Sequence, residues 1–253
     1  FIYDSINMYR SDNTVSEGRM TTATNPNFSE SDSITNHERA ADQNIGTTLS
    51  ALGDRDAIEY AVGSSATADA AAVYFTGDDG VSSGTIMEFY IDTGRSALEI
   101  KGTISAVSAA GWATTDLTET TGNKFFTEFK GTPTENVSEI LIGRKLNFEV
   151  EPDVNVQSSI DYNNDINTSL GGVSYALNVN PGQEVITISF QNISSTFKAN
   201  LITMQDFLKG EATKFLYNDG SSFHWVRLDK PMTFTEIADG RFSTQIVLRQ
   251  QIQ

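Results

Sequence analysis

From Ile58 onward the chain is cut into short runs of β-branched and aromatic residues by glycine-rich turns, and this punctuation restricts the fold more than any other feature. Runs at 58–62, 70–75, 85–91, 125–130 and 138–142 have the length of strands, with Gly77-Asp78-Asp79-Gly80 and Ser82-Ser83-Gly84 between them. Runs of this kind pair into sheets that bury one face, so the expectation is a mainly β chain whose N-terminal part is a β-sandwich. Ala68–Ala72 alone has helical composition, but it continues into Val73-Tyr74-Phe75 and therefore reads as a small-residue strand lying close to a neighbour. Residues 11–57 are rich in Ser, Thr, Asn and Asp, with a helical-looking patch at 36–44, and read as an irregular wrap.

Glu151-Pro152-Asp153-Val154-Asn155 reads as a connector, because Pro152 has no N–H for a ladder and pushes Glu151 towards extended backbone. Two domains are expected on this basis: 1–150, the wrap plus the sandwich, and 151–253, a smaller β-rich domain with one amphipathic helix. In the second, a strand near 171–179 and a Pro181-Gly182 turn precede 184–191, where Ile186, Ile188 and Phe190 alternate with polar neighbours. A helix follows from about Lys198 to Lys209, with Leu201, Met204, Phe207 and Leu208 facing the sheet and Gly210 as its stop. Strands at 214–217, 223–228, 232–237 and 242–248 complete it. The apolar Ile246-Val247-Leu248 predicts that the terminal run is protected by pairing.

Charge narrows the partners. Asp and Glu number 33 against 17 Lys and Arg, a formal charge of −16, so a phosphate backbone is repelled and nucleic acid is excluded. Without cysteine there is no disulfide framework, thiolate zinc site or thiol nucleophile. No apolar stretch reaches the roughly 18–20 residues of a membrane helix, so membrane insertion is not expected. Since residue 1 is Phe1 rather than Met, residues or a leader upstream are compatible with the sequence.

Chemical motifs are scarce, and the expectation is a non-enzyme with no catalytic residue, cofactor or metal. His37 and His224 lie in different halves and read as ordinary surface or packing residues. Asp161, Asn163 and Asp165 imitate the opening of a calcium loop, but Ile166 replaces the turn glycine and Gly172 the bidentate glutamate, so an Asx-rich turn is the plainer reading. Asp78-Asp79 likewise reads as a tight turn. The candidate ligand or interface residue is Trp112, in the expected loop Ala109-Ala110-Gly111-Trp112-Ala113. It either stacks on a sugar or, more plainly, caps the sandwich or enters a subunit contact.

Residues 68–91, followed by Val137-Ser-Glu-Ile-Leu-Ile-Gly-Arg-Lys-Leu-Asn-Phe148, resemble the discoidin-like, galactose-binding-like jelly rolls of long-tailed phage tails and gene-transfer agents. The second half resembles the tail-tip adaptors called distal tail proteins: Ser169-Leu170-Gly171-Gly172, the amphipathic helix, Trp225-Val226-Arg227-Leu228, and a terminal strand through 242–252. What the resemblance implies is a structural protein of the bacteriophage virion, a homo-oligomeric ring joining the tail tube to the hub or fibres in host attachment. The alternative is a carbohydrate-binding module of a phage adhesin or secreted bacterial protein, with a surface glycan as ligand.

Overall fold

The structure is a computed structural model and describes residues 2–3, 21–22, 57–77, 85–92, 99–105, 107, 109–130, 137–152, 156–162, 164–168, 174–178 and 182–251. The chain is mainly β, with a single helix among the described residues, and it divides into two units, Phe1–Lys145 and Leu146–Ile252. The turns at 78–84, His37 and most of the expected wrap lie outside the described residues.

Unit 1 contains β1 (Ile2–Tyr3), β2 (Thr21–Thr22), β3 (Ala57–Phe75), β4 (Thr85–Asp92), β5 (Ile100–Ser105), β6 (Gly111–Phe129) and β7 (Val137–Lys145), antiparallel throughout. The runs expected at 58–62 and 70–75 are one strand, β3, and the run at 125–130 is the end of β6. Both strands are long enough to belong to two layers. The first half of β3 (57–61) pairs with 124–128 of β6, which pairs with β4 and through it with β5. The second half of β3 (70–75) pairs with 111–116 of β6 on one side and with β7 on the other.

The corner between the halves is made by surplus residues. Between Ala61↔Lys124 and Ala66↔Gly122, β3 advances five residues while β6 advances two; between Ala68↔Thr120 and Ala70↔Asp116, β3 advances two and β6 four. Unequal counts of this kind bend and twist a strand pair. At the bend β6 passes close over the end of β4: a Cβ on Gly122 would lie 2.4 Å from the carbonyl oxygen of Asp92, so no other residue fits there. The Gly, Ser and Thr residues that read as turn signals mark a bend within strands.

One apolar core takes side chains from both halves: Ile58, Phe89, Ile91, Phe125 and Phe129 from the first, Ala71, Val73, Phe75, Ile140 and Ile142 from the second. Two layers that share a core face each other across it, which makes unit 1 a β-sandwich of the jelly-roll class. Ala68, Ala70, Ala71 and Ala72 are all fully buried, in keeping with a small-residue strand in close contact with its surroundings.

Unit 2 contains β8 (Gln157–Asp161), β9 (Asn164–Thr168), β10 (Ser174–Asn178), β11 (Gln183–Ser194), α1 (Ser195–Phe207), β12 (Phe215–Asn218), β13 (Phe223–Leu228), β14 (Thr233–Ala238) and β15 (Arg241–Gln250). β9 and β10 form a separate hairpin, and the main sheet runs β12-β13-β15-β11-β8, with β14 also on β15. The terminal strand β15 is interior, paired with β11, β13 and β14, so its apolar run is protected.

Ser194 caps the helix, its hydroxyl accepting from the Phe197 N–H at 3.0 Å while its own N–H donates to Glu149 Oε1 at 2.9 Å. Gly210 ends it at φ 69°, its N–H donating to the Gln205 carbonyl at 3.0 Å. The buried stripe is Phe197, Leu201, Met204 and Leu208, at steps of four, three and four residues. Phe207, expected in that stripe, is half-buried at its flank, because Leu208, four residues after Met204, takes the inward place. The stripe joins Ile186, Ile188 and Phe190 of β11 and Ile246 and Leu248 of β15 in the core. α1 is neither long nor apolar enough to cross a membrane.

Candidate functional site

Trp112 is the second residue of β6, not part of a loop; only the bend at Ala109–Ala110 remains of the loop expected there. Its register partner is Tyr74 on β3, and the two rings meet edge to face with centroids 5.3 Å apart at 70°. Neighbours Val73 and Phe75 point into the sandwich core and Ala113 packs against it. Alternation therefore sets Tyr74 and Trp112 on the opposite, outer face, where both are half-buried.

Polar groups flank the pair on the same face. Across β3, Glu139 of β7 is the other register partner of Tyr74 and is fully buried. Along β6, Thr114 and Asp116 follow Trp112 at alternate positions and are exposed. Asp116 is ion-paired with Lys145, whose backbone N–H donates to Asp69 Oδ1 at 2.6 Å. The result is an aromatic pair with the Thr114 hydroxyl two residues along β6 and the Asp116–Lys145 ion pair two residues further along the same face.

A second cluster lies on the outer face of the first layer, where β4 pairs with β6. Glu88 stands opposite Glu128 and Tyr90 opposite Phe126. Like charges directly opposed are unfavourable. The Tyr90 hydroxyl bridges them, 2.6 Å from Glu88 Oε2 and 2.8 Å from Glu128 Oε2, and Lys130 Nζ lies 2.9 Å from both of these oxygens. Burial, then the two carboxylates, pushes the Tyr90 phenol well above its ordinary range. For Lys130 burial works downward, but the hydrogen bonds to Glu88 and Glu128 outweigh it and its affinity for the proton rises. The sequence signal was faint: Glu88-x-Tyr90 and Phe126-x-Glu128-x-Lys130 each have period two, yet only the strand register brings them together. With Glu128 1% exposed, a glycosidic bond cannot reach both carboxylates, so the pair does not form a hydrolytic acid–base site.

The alkaline side of the stability curve should report this cluster. Raised folded-state values mean that the folded form holds these protons more tightly than the unfolded chain. The contribution is therefore complete below about pH 10 and is lost as pH rises through the folded values. Melting temperatures measured from about pH 8 to 11 should fall more steeply for the parent chain than for Tyr90→Phe. Equal slopes would remove Tyr90 from the account.

Of the calcium-like run in unit 2, Asn163 lies outside the described residues and Asp165 is on β9. Asp161 is on β8, where its carboxylate accepts from Arg249 Nη1 at 2.9 Å, and Arg249 Nε donates to Asp229 Oδ1 at 2.5 Å. His224 stacks on Tyr217, with ring centroids 5.8 Å apart, and its Nε2 lies 3.0 Å from Asp219 Oδ2. Burial alone would raise the Asp219 carboxyl, but His224 and the N–H groups of Ser222 and Ser221 more than offset it, so its pKa is lowered. Among the described residues no three His, Cys, Asp or Glu side chains come together as metal ligands.

No family model matches the chain, and no curated protein matches it. Among solved structures it is similar to "CBM32 of AlyQ in complex with 4,5-unsaturated mannuronic acid", at 20% identity and a TM-score of 0.34 over 43% of this chain and 85% of that one. It is also similar to chitosan-binding module 1 from the chitosanase/glucanase of Paenibacillus sp. IK-5, at 15% identity and a TM-score of 0.32 over 42% and 84% of the two chains. A third, truncated AlyQ with CBM32 and alginate lyase domains, gives 17% identity and a TM-score of 0.35 over 59% of this chain and 43% of that one.

Proposed function

We propose that the chain is a non-catalytic carbohydrate-binding protein whose unit 1 contacts a glycan through Trp112 and Tyr74. The observation that carries this reading is the half-buried aromatic pair on the outer face of the sandwich, set in register on adjacent strands and followed along the same face by Thr114 and the Asp116–Lys145 ion pair. An aromatic face takes the apolar C–H side of a sugar ring, and neighbouring polar groups take its hydroxyls. Placing the pair on strands rather than loops holds both rings with little ordering cost on binding.

A glycan array on the full chain, followed by calorimetric titration of the strongest oligosaccharide, tests the proposal. Trp112→Ala should weaken binding by at least about tenfold, in the range of a single aromatic anchor, while lowering the melting temperature by only a few degrees, as the loss of a half-buried ring would. An array without signal, or a Trp112→Ala protein that binds like its parent, would overturn the assignment.

The second reading is the virion tail adaptor. The element order of unit 2 favours it: a helix, a β segment, a strand carrying Trp225–Leu228 and a terminal strand follow one another in the adaptor layout. Closed rings in mass photometry, alone or with tail-tube protein, are its test.

A further inference from the structure

The main sheet of unit 2 ends at β8, and this edge lacks the features that keep sheet edges from pairing. All five residues, Gln157-Ser158-Ser159-Ile160-Asp161, are exposed, and their ladder with β11 runs without a bulge. There is no proline or lysine in the strand. Its one charge, Asp161, is paired with Arg249, which reaches across from β15 and also binds Asp229. Three of the large apolar side chains exposed among the described residues gather here: Val156 at 47%, Ile160 at 60% and Tyr162 at 48%. They share one face, since Val156, Ser158, Ile160 and Tyr162 alternate with Gln157, Ser159 and Asp161. It is the face that β11 continues with the buried Ile186 and with Glu184, whose carboxylate accepts from the Ser158 hydroxyl, and β8 is the last strand of this sheet among the described residues.

We propose that β8 is the pairing edge for a second copy of this chain, joined antiparallel about a two-fold axis at Ser159. Self-complementarity selects this occupant. With full overlap of the five residues, Gln157 faces the partner's Asp161, Ser158 faces the partner's Ile160, and Val156 faces the partner's Tyr162. Every exposed apolar residue then meets an apolar or small one, and each carboxylate meets an amide. Parallel pairing in register would set Asp161 against the partner's Asp161, two like charges directly opposed. The contact is isologous, so it closes as a dimer and gives one sheet continuous across two copies.

Because the chain has no cysteine, one introduced thiol reads the register directly. Opposed residues of an antiparallel pair have Cα atoms about 4.5–5.5 Å apart, within reach of a disulfide. Ser159→Cys in the full chain should therefore cross-link to itself under mild oxidation, far faster than Ile237→Cys, a likewise exposed control on β14. Analytical ultracentrifugation of the parent over a concentration series should show a monomer–dimer equilibrium. Ile160→Lys should shift it to monomer, with a melting temperature equal to the parent's at concentrations where the parent is also monomeric, since that side chain is exposed in the single copy. A parent chain that stays monomeric throughout overturns the proposal. So does an assembly in which Ser159→Cys cross-links no faster than the control, whether that assembly is a dimer or a larger ring.

Discussion

Replacing Phe190 by alanine should destabilise unit 2 by about 3–5 kcal/mol, the range for removing a fully buried aromatic ring. Phe190 is 1% exposed and sits between two other rings, Phe148 at 5.1 Å and Phe197 at 6.0 Å, each close to perpendicular to it. It joins the segment before β8, the strand β11 and the helix α1, so the cavity left by its loss cannot close by moving one side chain. Phe207→Ala is the matched comparison: the same atoms leave a half-buried position at the helix flank, and the loss should be only about 1 kcal/mol. The measurement is clean because the chain has two tryptophans, one per unit. In a Trp112→Phe background, the emission of Trp225 follows urea unfolding of unit 2 alone. Equal losses for the two phenylalanines would mean that the helix packs by a different face.

Lys130→Met should cost unit 1 about 3 kcal/mol, the lower end for removing one member of a buried charge group. The lower end applies because the Lys130 side chain keeps 27% of its exposure, whereas Glu128 keeps 2%. Without the ammonium group, Glu88 and Glu128 remain opposed across β4 and β6, with only the Tyr90 hydroxyl between them. Neutralising one carboxylate should relieve most of that penalty, so Glu88→Gln combined with Lys130→Met should be more stable than Lys130→Met alone. The sign of this double-mutant coupling decides the matter. If Glu88→Gln makes the lysine variant worse, the stabilisation comes from hydrogen-bond geometry rather than from charge.

What could be read from the sequence follows from how local each signal is. Val185–Gln191, with its strict alternation, and the helix ending at Gly210 are carried by neighbouring residues, and both are found close to where they were expected. The continuity of β3 and β6 is not local. The residues that interrupt them, Gly63-Ser64-Ser65 and Thr121-Gly122-Asn123, have turn chemistry, and only pairing partners far along the chain keep the backbone extended through them. Strand β8 was missed because Ser158 interrupts the apolar series Val156, Ile160 and Tyr162, and all five strand residues are exposed, so no buried face marks the run. Trp112 was visible as an unusual residue, but its partner Tyr74 lies 38 positions earlier and is brought to it only by register. Glu88, Tyr90, Glu128 and Lys130 converge in the same way, by a strand alignment that no single segment encodes.

The bend in β3 and β6 also bears on how this unit can drift over generations. Adding or deleting one residue in an ordinary strand exchanges its inward and outward faces from that point on. In unit 1 such a slip would propagate into both layers, because the same two strands build both. The two irregular stretches, where β3 carries three residues more than β6 and then two fewer, interrupt that propagation. Length changes at 62–65 and 118–119 can be taken up there, leaving the buried alternation on either side intact. Variation in strand length should therefore collect in the middle of these two longest strands, away from their ends, with Gly122 held fixed beside it by the backbone of Asp92.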